Sequence, residues 1–504
     1  MLGRLFSLIY TFCILGLAVW GLQSLGLAGL FLLYRRGAAR AAAPAQPAPD
    51  AWPTVAVQMP ICDERHVVER LIAAACALDY PADKLTLQVL DDSTDDTTLL
   101  AQRLVDRYRA QGVNIHLLRR DQREGYKAGA LAAGFQAAAS DFFAVFDADF
   151  SPRPDFLKRL MPYFLADPKV GVVQARWGHL NAGYNALTRA QALALDGHFV
   201  VEQTARGRSG LPLNFNGSGG IWRRACIEAA GGWQADTLAE DLDLSYRAQL
   251  RGWRVQYVPE VIASAEIPPQ IAAFKRQQFR WACGSVQVLR KLLVSLWVSP
   301  LSFAQRVGGV LHLGAYLAYP LMLLALLASL PVALTGTPLP PILGLVSIAG
   351  LGPPLVYALS QWAAYTDWPK RLIAFPGLFC LGFGLMLNNS WAVLNAFFGR
   401  PQFARTPKFS VESRADGWQG SDYALKLGGL AWGELALAAY AGLTLVLAIQ
   451  RQPGLVPFSV LALAGLGYVG LWEVWQAWHP RRIFGDGHYS TSALLRAEAT
   501  QKRF

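Results

Sequence analysis

Apolar and polar positions divide the chain into stretches of different rhythm. Residues 5–34 form an almost unbroken apolar run. It is too long for the ~7–15-residue core of a signal peptide and long enough for a spanning helix of ~20 residues. From residue 54 the pattern switches to short β-rich runs alternating with helical periodicity. Strands are predicted over 54–59, 85–90, 113–118, 142–146 and 170–175, and helices over 64–78, 96–111 and 126–139. This alternation predicts an α/β layer with a largely parallel sheet, whose ligands bind beyond the C-terminal strand ends. Apolar blocks return over 308–334, 342–365, 372–398, 428–449 and 456–478.

The block over 372–398 decides the membrane layout. Its second half carries Asn388, Asn389, Ser390 and Asn395, groups that are costly facing lipid. If it spans, Arg405, Lys408 and Arg414 move outside; if it lies along the inner face, every basic cluster except Arg451 stays cytosolic, as the positive-inside rule asks. The expectation is therefore an interfacial or half-inserted helix, five spanning helices, an external N-terminus and a cytosolic C-terminus. The domain division follows: a spanning helix over 1–36, a linker over 37–52 and a cytosolic domain over 53–267. Amphipathic interface helices follow over 268–306, two spans over 307–366, and an interface helix with a loop over 370–426. Two further spans over 427–479 and a basic tail over 480–504 complete it.

Composition narrows the class. Charged residues are only 16% of the chain, below the ~25% of soluble domains, and the deficit lies in the apolar blocks. The net charge of +11 sits at their edges, in Arg35, Arg36 and Arg40, Lys370 and Arg371, Arg481 and Arg482, and Lys502 and Arg503. That placement argues for a lipid bilayer as partner and against nucleic acid. The six cysteines form no C-x-x-C pair and the histidines no ligand spacing, so neither a disulfide framework nor a zinc site is expected.

Candidate chemistry gathers at the predicted strand ends. Asp147 and Asp149 follow Phe142-Phe-Ala-Val-Phe146, and alternation sends both carboxylates to one side. Paired hard oxygens suit Mg²⁺ or Mn²⁺, and such a cation would neutralise a diphosphate leaving group. An isolated Asp-x-Asp is more often a solvated turn; the apolar strand before it, and a second strand ending in Asp91-Asp92, favour chemistry. Lys127 follows Gly125 at a helix start, a natural phosphate site, though a surface lysine would look similar. Glu240, Asp241 and Asp243 open a helix over 240–251, where the dipole favours acids regardless of function. Asp243 is read that way, and Asp241 as the general base that takes a proton from an acceptor hydroxyl. Gln277, Arg280 and Trp281 share one face of an amphipathic helix over 269–297, with Arg280 suited to diphosphate and Trp281 to stacking on a sugar ring. Membrane-interface anchoring is the plainer reading of such Arg and Trp residues.

The ordered set Val57-Gln-Met-Pro60 with Glu64, Leu90-Asp-Asp-Ser-Thr-Asp95, Gly125-Tyr-Lys-Ala-Gly129, Asp147-Ala-Asp149, Glu240-Asp241 and Gln277-x-x-Arg280-Trp281 resembles that of processive family 2 glycosyltransferases. Gln174-Ala-Arg-Trp177, Phe215-Asn-Gly217 and Phe403-Ala-Arg-Thr-Pro-Lys408 are similar to the cellulose-synthase-like group that makes mannan, glucomannan and xyloglucan backbones, and to its bacterial relatives. The resemblance implies a GT-A-type α/β domain inserted in a helical membrane domain. It implies an inverting hexosyltransferase that moves sugar from UDP-glucose or GDP-mannose to a growing β-glycan exported through its own helices. A lipid glycosyltransferase acting on diacylglycerol or ceramide is the alternative, and an accessory export subunit is conceivable. By the same resemblance Glu64, Asp91, Asp92, Lys127, Asp147, Gln277 and Arg280 would bind the nucleotide sugar, and Asp147 and Asp149 the metal. Asp241, with Glu240, would be catalytic; Asn216, Gly217, Ser218 and Trp281 would shape the acceptor site; Phe403, Thr406 and Lys408 would form a gating loop. Two departures stand out: Cys62-Asp63 replaces the usual Tyr-Asn, and Ala239 stands where relatives often carry threonine.

Overall fold

The computed structural model describes residues 2–38, 44–48, 51–399 and 403–478. The basic tail expected over 480–504, Arg40, and part of the 37–52 linker lie outside the described residues.

Eight strands form one sheet: β1 (Val55–Ile61), β2 (Leu85–Asp91), β3 (Ile115–Arg119), β4 (Phe142–Val145), β5 (Phe150–Ser151), β6 (Val170–His179), β7 (Gly220–Arg223) and β8 (Arg254–Ala265), in the order β3-β2-β1-β4-β7-β6-β8-β5. β3, β2, β1 and β4 are mutually parallel, as is the β6–β8 pair. β7 enters antiparallel on both sides and β5 pairs antiparallel with β8, so the sheet is mixed. Alternation along β1 buries Val55, Val57 and Met59 against Leu71 and Ile72 of the Val68–Cys76 helix. Ala56 faces the opposite layer with Phe143, Val145 and Trp222. Both faces are covered, which is why the parallel strands read as continuous apolar runs. Each large side chain fully buried here contributes roughly 1.5–3 kcal/mol.

Among the described residues, five helices are long and apolar enough to cross a membrane: Leu2–Arg35, Ala315–Thr335, Ile342–Ala364, Leu430–Arg451 and Pro453–Trp478. The second begins later than its apolar run suggests. Ser302 caps a separate Phe303–Leu313 helix, and Gly314 ends it. The 372–398 block is a pair of helices bent by 42°, Trp368–Gly384 and Met386–Phe398. Asn388, Asn389 and Ser390 are buried in protein, and Asn395 is half-buried. Asn388 donates to the Lys275 carbonyl at 3.1 Å and to Asn389 at 2.9 Å, while Ala392, Val393 and Ala396 pack on Ala282, Cys283 and Val286 of the Ile271–Trp297 helix. That long amphipathic helix joins the sheet domain to the membrane bundle.

Candidate active site

The C-terminal ends of β1, β2, β4, β6 and β8 open onto one cavity. Glu64, Asp92, Lys127, Asp147, Asp149, Asn216, Gly217, Glu240, Asp241, Gln277, Arg280, Trp281, Phe403, Thr406 and Lys408 line it. Of the residues singled out from the sequence, Asp91 and Ser218 stand behind its wall. Asp91 is 1% exposed and accepts from the Ser93 N–H and the Thr98 hydroxyl. Ser218 accepts from the Asp147 N–H at 2.9 Å, so it sets the backbone that carries the Asp-x-Asp. Asp92 reaches the cavity, with both oxygens engaged by Arg120.

Lys127 organises the centre. Gly125 adopts φ 72° and Tyr126 φ 48°, left-handed conformations that turn the chain sharply into the Tyr126–Gln136 helix. The Lys127 ammonium then sits 2.6 Å from Asp147, 3.7 Å from Glu240 and 2.9 Å from the Gly217 carbonyl. Burial alone would lower its pKa, but Asp147 and Glu240 outweigh that and hold it above the ordinary lysine value. Asp241 also lies beside Gly217. Burial, then the neighbouring Glu240 charge, raises its carboxyl to about 7, within reach of a base working near neutral pH. Gly217 has φ +79°, and a Cβ there would come 2.9 Å from Asp241 Oδ2 and 3.4 Å from Lys127 Nζ. Behind, the Ser245 hydroxyl donates to the Asp241 carbonyl at 2.6 Å and accepts from the Phe215 N–H at 2.9 Å, fixing the helix start.

The segment from Phe403 crosses the mouth. Phe403 stacks on Tyr126 at 5.5 Å, and Arg280 lies 4.6 Å over its ring while donating to the Thr406 hydroxyl at 2.9 Å. Lys408 pairs with Asp149 Oδ2; Asp149 Oδ1 is buried with no hydrogen-bond partner. Further along, the Phe409 N–H donates to Glu266, Glu412 pairs with Arg70 at 2.7 Å, and Leu425 is held by Gln270. Among the described residues no group of three or more His, Cys, Asp or Glu is arranged to hold a metal by itself.

Sequence reasoning missed Glu266, Arg405 and His179, all in the cavity wall. Glu266 follows β8, a strand the pattern did not reveal. Burial raises its carboxyl to about 7, as it does for Glu64, where Arg405 and Lys408 pull the other way.

The profile described as glycosyltransferase like family 2 matches residues 53–284. Glucomannan 4-beta-mannosyltransferase 7 of Arabidopsis thaliana is 42% identical over 258 residues, covering 49% of this chain and 46% of that protein. Residues 53–284 are thus similar to the family 2 glycosyltransferases. Glucomannan 4-beta-mannosyltransferase 1 of Oryza sativa subsp. japonica is 42% identical over 250 residues, covering 49% of this chain and 48% of that protein. The chain thus spans about half the length of the curated relatives it matches. The fold is shared with the solved mannosyltransferase PcManGT from Pyrobaculum calidifontis, in complex with GDP-Man and Mn²⁺: TM-score 0.51, 21% identity, 77% of this chain and 100% of that one.

Proposed function

We propose that the chain is a membrane-embedded, inverting hexosyltransferase that extends a β-glycan from a nucleotide-diphosphate sugar, with GDP-mannose as donor and a β-1,4-linked mannan or glucomannan as product. The observation that carries this is the grouping of Asp241, Lys127 and Asp147 in one cavity with Gln277, Arg280 and Trp281. The named activity of the 42%-identical relatives supports the choice of sugar and linkage.

The chain's own residues divide the work. Lys127 and Arg280 are cations positioned for a diphosphate, and Trp281 offers an aromatic face to the acceptor sugar. Asp241 takes the acceptor hydroxyl proton as the new bond forms, and one displacement turns an α-linked donor into a β-linked product. Asp147 and Asp149 would hold a divalent cation, Mg²⁺ or Mn²⁺, which supplies charge neutralisation for the departing diphosphate. The residues fit that role: Asp149 keeps a buried oxygen without a partner, and each carboxylate now faces an ammonium where positive charge is needed. Two protein carboxylates suit a cation that takes its other oxygens from water and substrate phosphate.

The sheet domain and the 403–429 segment would share the cytosolic side, where nucleotide sugars are made, with the domain divisions described above. The Phe403–Lys408 contacts to Tyr126, Arg280 and Asp149 support a gating role for that loop. They favour repeated donor loading over a single transfer to diacylglycerol or ceramide. Purified full chain in detergent, offered GDP-mannose and UDP-glucose separately with Mg²⁺ or Mn²⁺, should release GDP and make an ethanol-insoluble β-1,4-linked product. Product extracted into organic solvent would establish the lipid acceptor instead.

A further inference from the structure

A second hollow lies away from the catalytic cavity, at the seam where two spanning helices meet the sheet domain. Its space of about 600 Å³ is lined by Phe31, Arg35 and Trp362 from the spanning helices, and by Arg176, Arg208 and Glu260 from the sheet domain. Arginine at the end of a spanning helix is ordinary, and Arg35 alone would mean nothing. Arg176 belongs to β6 and Arg208 to the Gln203–Ser209 helix, however, so three guanidiniums from three elements converge on one opening.

Their charges are poorly matched. Arg208 meets Glu260 only at 4.0 Å, and Glu260 is 62% exposed. Arg35 lies 4.0 Å over the Trp362 ring. Among the described residues no carboxylate stands within ion-pair distance of Arg35 or Arg176, and Arg176 Nε is buried with no hydrogen-bond partner. Guanidinium groups present forked donors suited to phosphate oxygens. Phe31 lies one helical turn from Arg35 toward the membrane, so the wall turns from cationic to apolar as it enters the bilayer.

We propose that this hollow binds the headgroup of an anionic phospholipid. The phosphodiester sits among Arg35, Arg176 and Arg208, and an acyl chain runs down the exposed side of Trp362. A bilayer lipid, rather than a free phosphate, fits because the apolar wall is made by membrane-spanning helices. None of these residues lines the catalytic cavity, so the site is independent of the proposed reaction.

The test is native mass spectrometry of the full chain released from nanodiscs of equal phosphatidylglycerol and phosphatidylcholine. The wild type should retain phosphatidylglycerol selectively. Arg35→Gln and Arg208→Gln should each lower that retention by about fivefold, the effect of one surface-proximal arginine on anionic lipid. Arg103→Gln, an exposed site on the Thr97–Ala110 helix, should change nothing. Glu260→Gln removes the competing carboxylate and should raise retention, a gain that misfolding cannot produce. Equal retention of both lipids by the wild type, unchanged retention in the arginine variants or in Glu260→Gln, or displacement by inorganic phosphate would each overturn the assignment.

Discussion

Gly217 carries two constraints at once. Its φ of +79° suits glycine, and the space beside it is filled by Asp241 and Lys127. Gly217→Ala should therefore displace the proposed base rather than unfold the domain. A misplacement approaching 1 Å can cost about 10²-fold in rate, and a loss of that order in kcat with little change in thermal midpoint is expected. Equal kcat in steady-state assays would separate Gly217 from the base. The same neighbourhood predicts a pH dependence. With its carboxyl raised to about 7 by burial and Glu240, Asp241 is mostly protonated, and unable to accept a proton, below that pH. The kcat/KM for donor should thus rise from pH 5 to 8 with a midpoint near 7. Glu64 titrates in the same range, so the limb should persist in Glu64→Gln; its disappearance there would assign it to Glu64.

At the scale of elements, the Ile271–Trp297 helix is the part on which the site most depends. Gly284 lets it approach the chain before Asp241, where a Cβ would fall 2.7 Å from that of Ala239. Two residues before Gln277, Lys275 is buried between Glu434 and Glu473 of two spanning helices, 2.7 Å from each. Removing the lysine leaves two buried acids without their cation, a class of change that costs roughly 3–5 kcal/mol. Lys275→Met should clearly lower the thermal midpoint in detergent, and adding Glu434→Gln should recover part of it; an unchanged midpoint would show the triad to be energetically idle. This junction could not be read from sequence, because nothing local links residue 275 to 434 or 473. The strands β1, β2 and β4 were legible because both faces are buried and their runs are largely apolar; the edge strand β3 showed through Ile115, Leu117 and Leu118 despite its exposed His116 and Arg119. β7 has four residues behind a glycine-rich turn, and β8 carries Pro259 and a register shift near Arg176, so neither shows a clean period. Missing β8 hid Glu266. For Asp91 the strand-end position was visible, but not the Ser93 and Thr98 donors that hold it behind the cavity wall.

Across the whole molecule, the helical membrane part and the mixed sheet are joined through a site that needs both. The proposed base and the Asp-x-Asp come from the sheet domain; Arg280 and Trp281 come from the connecting helix; Thr406 and Lys408 come from a segment between membrane helices. The bent 372–398 pair illustrates the limit of hydropathy. Its asparagines look costly facing lipid, yet Asn388 binds the Lys275 carbonyl, a partner visible only once the helices are packed. The central claim is that Asp241 moves a proton while other groups bind the donor. Its most direct test compares Asp241→Asn with wild type in two measurements on the full chain: donor binding by calorimetry and single-turnover transfer. The account predicts donor affinity within about threefold of wild type with transfer reduced at least ~10²-fold; parallel loss of binding and transfer, or transfer that survives, would contradict it.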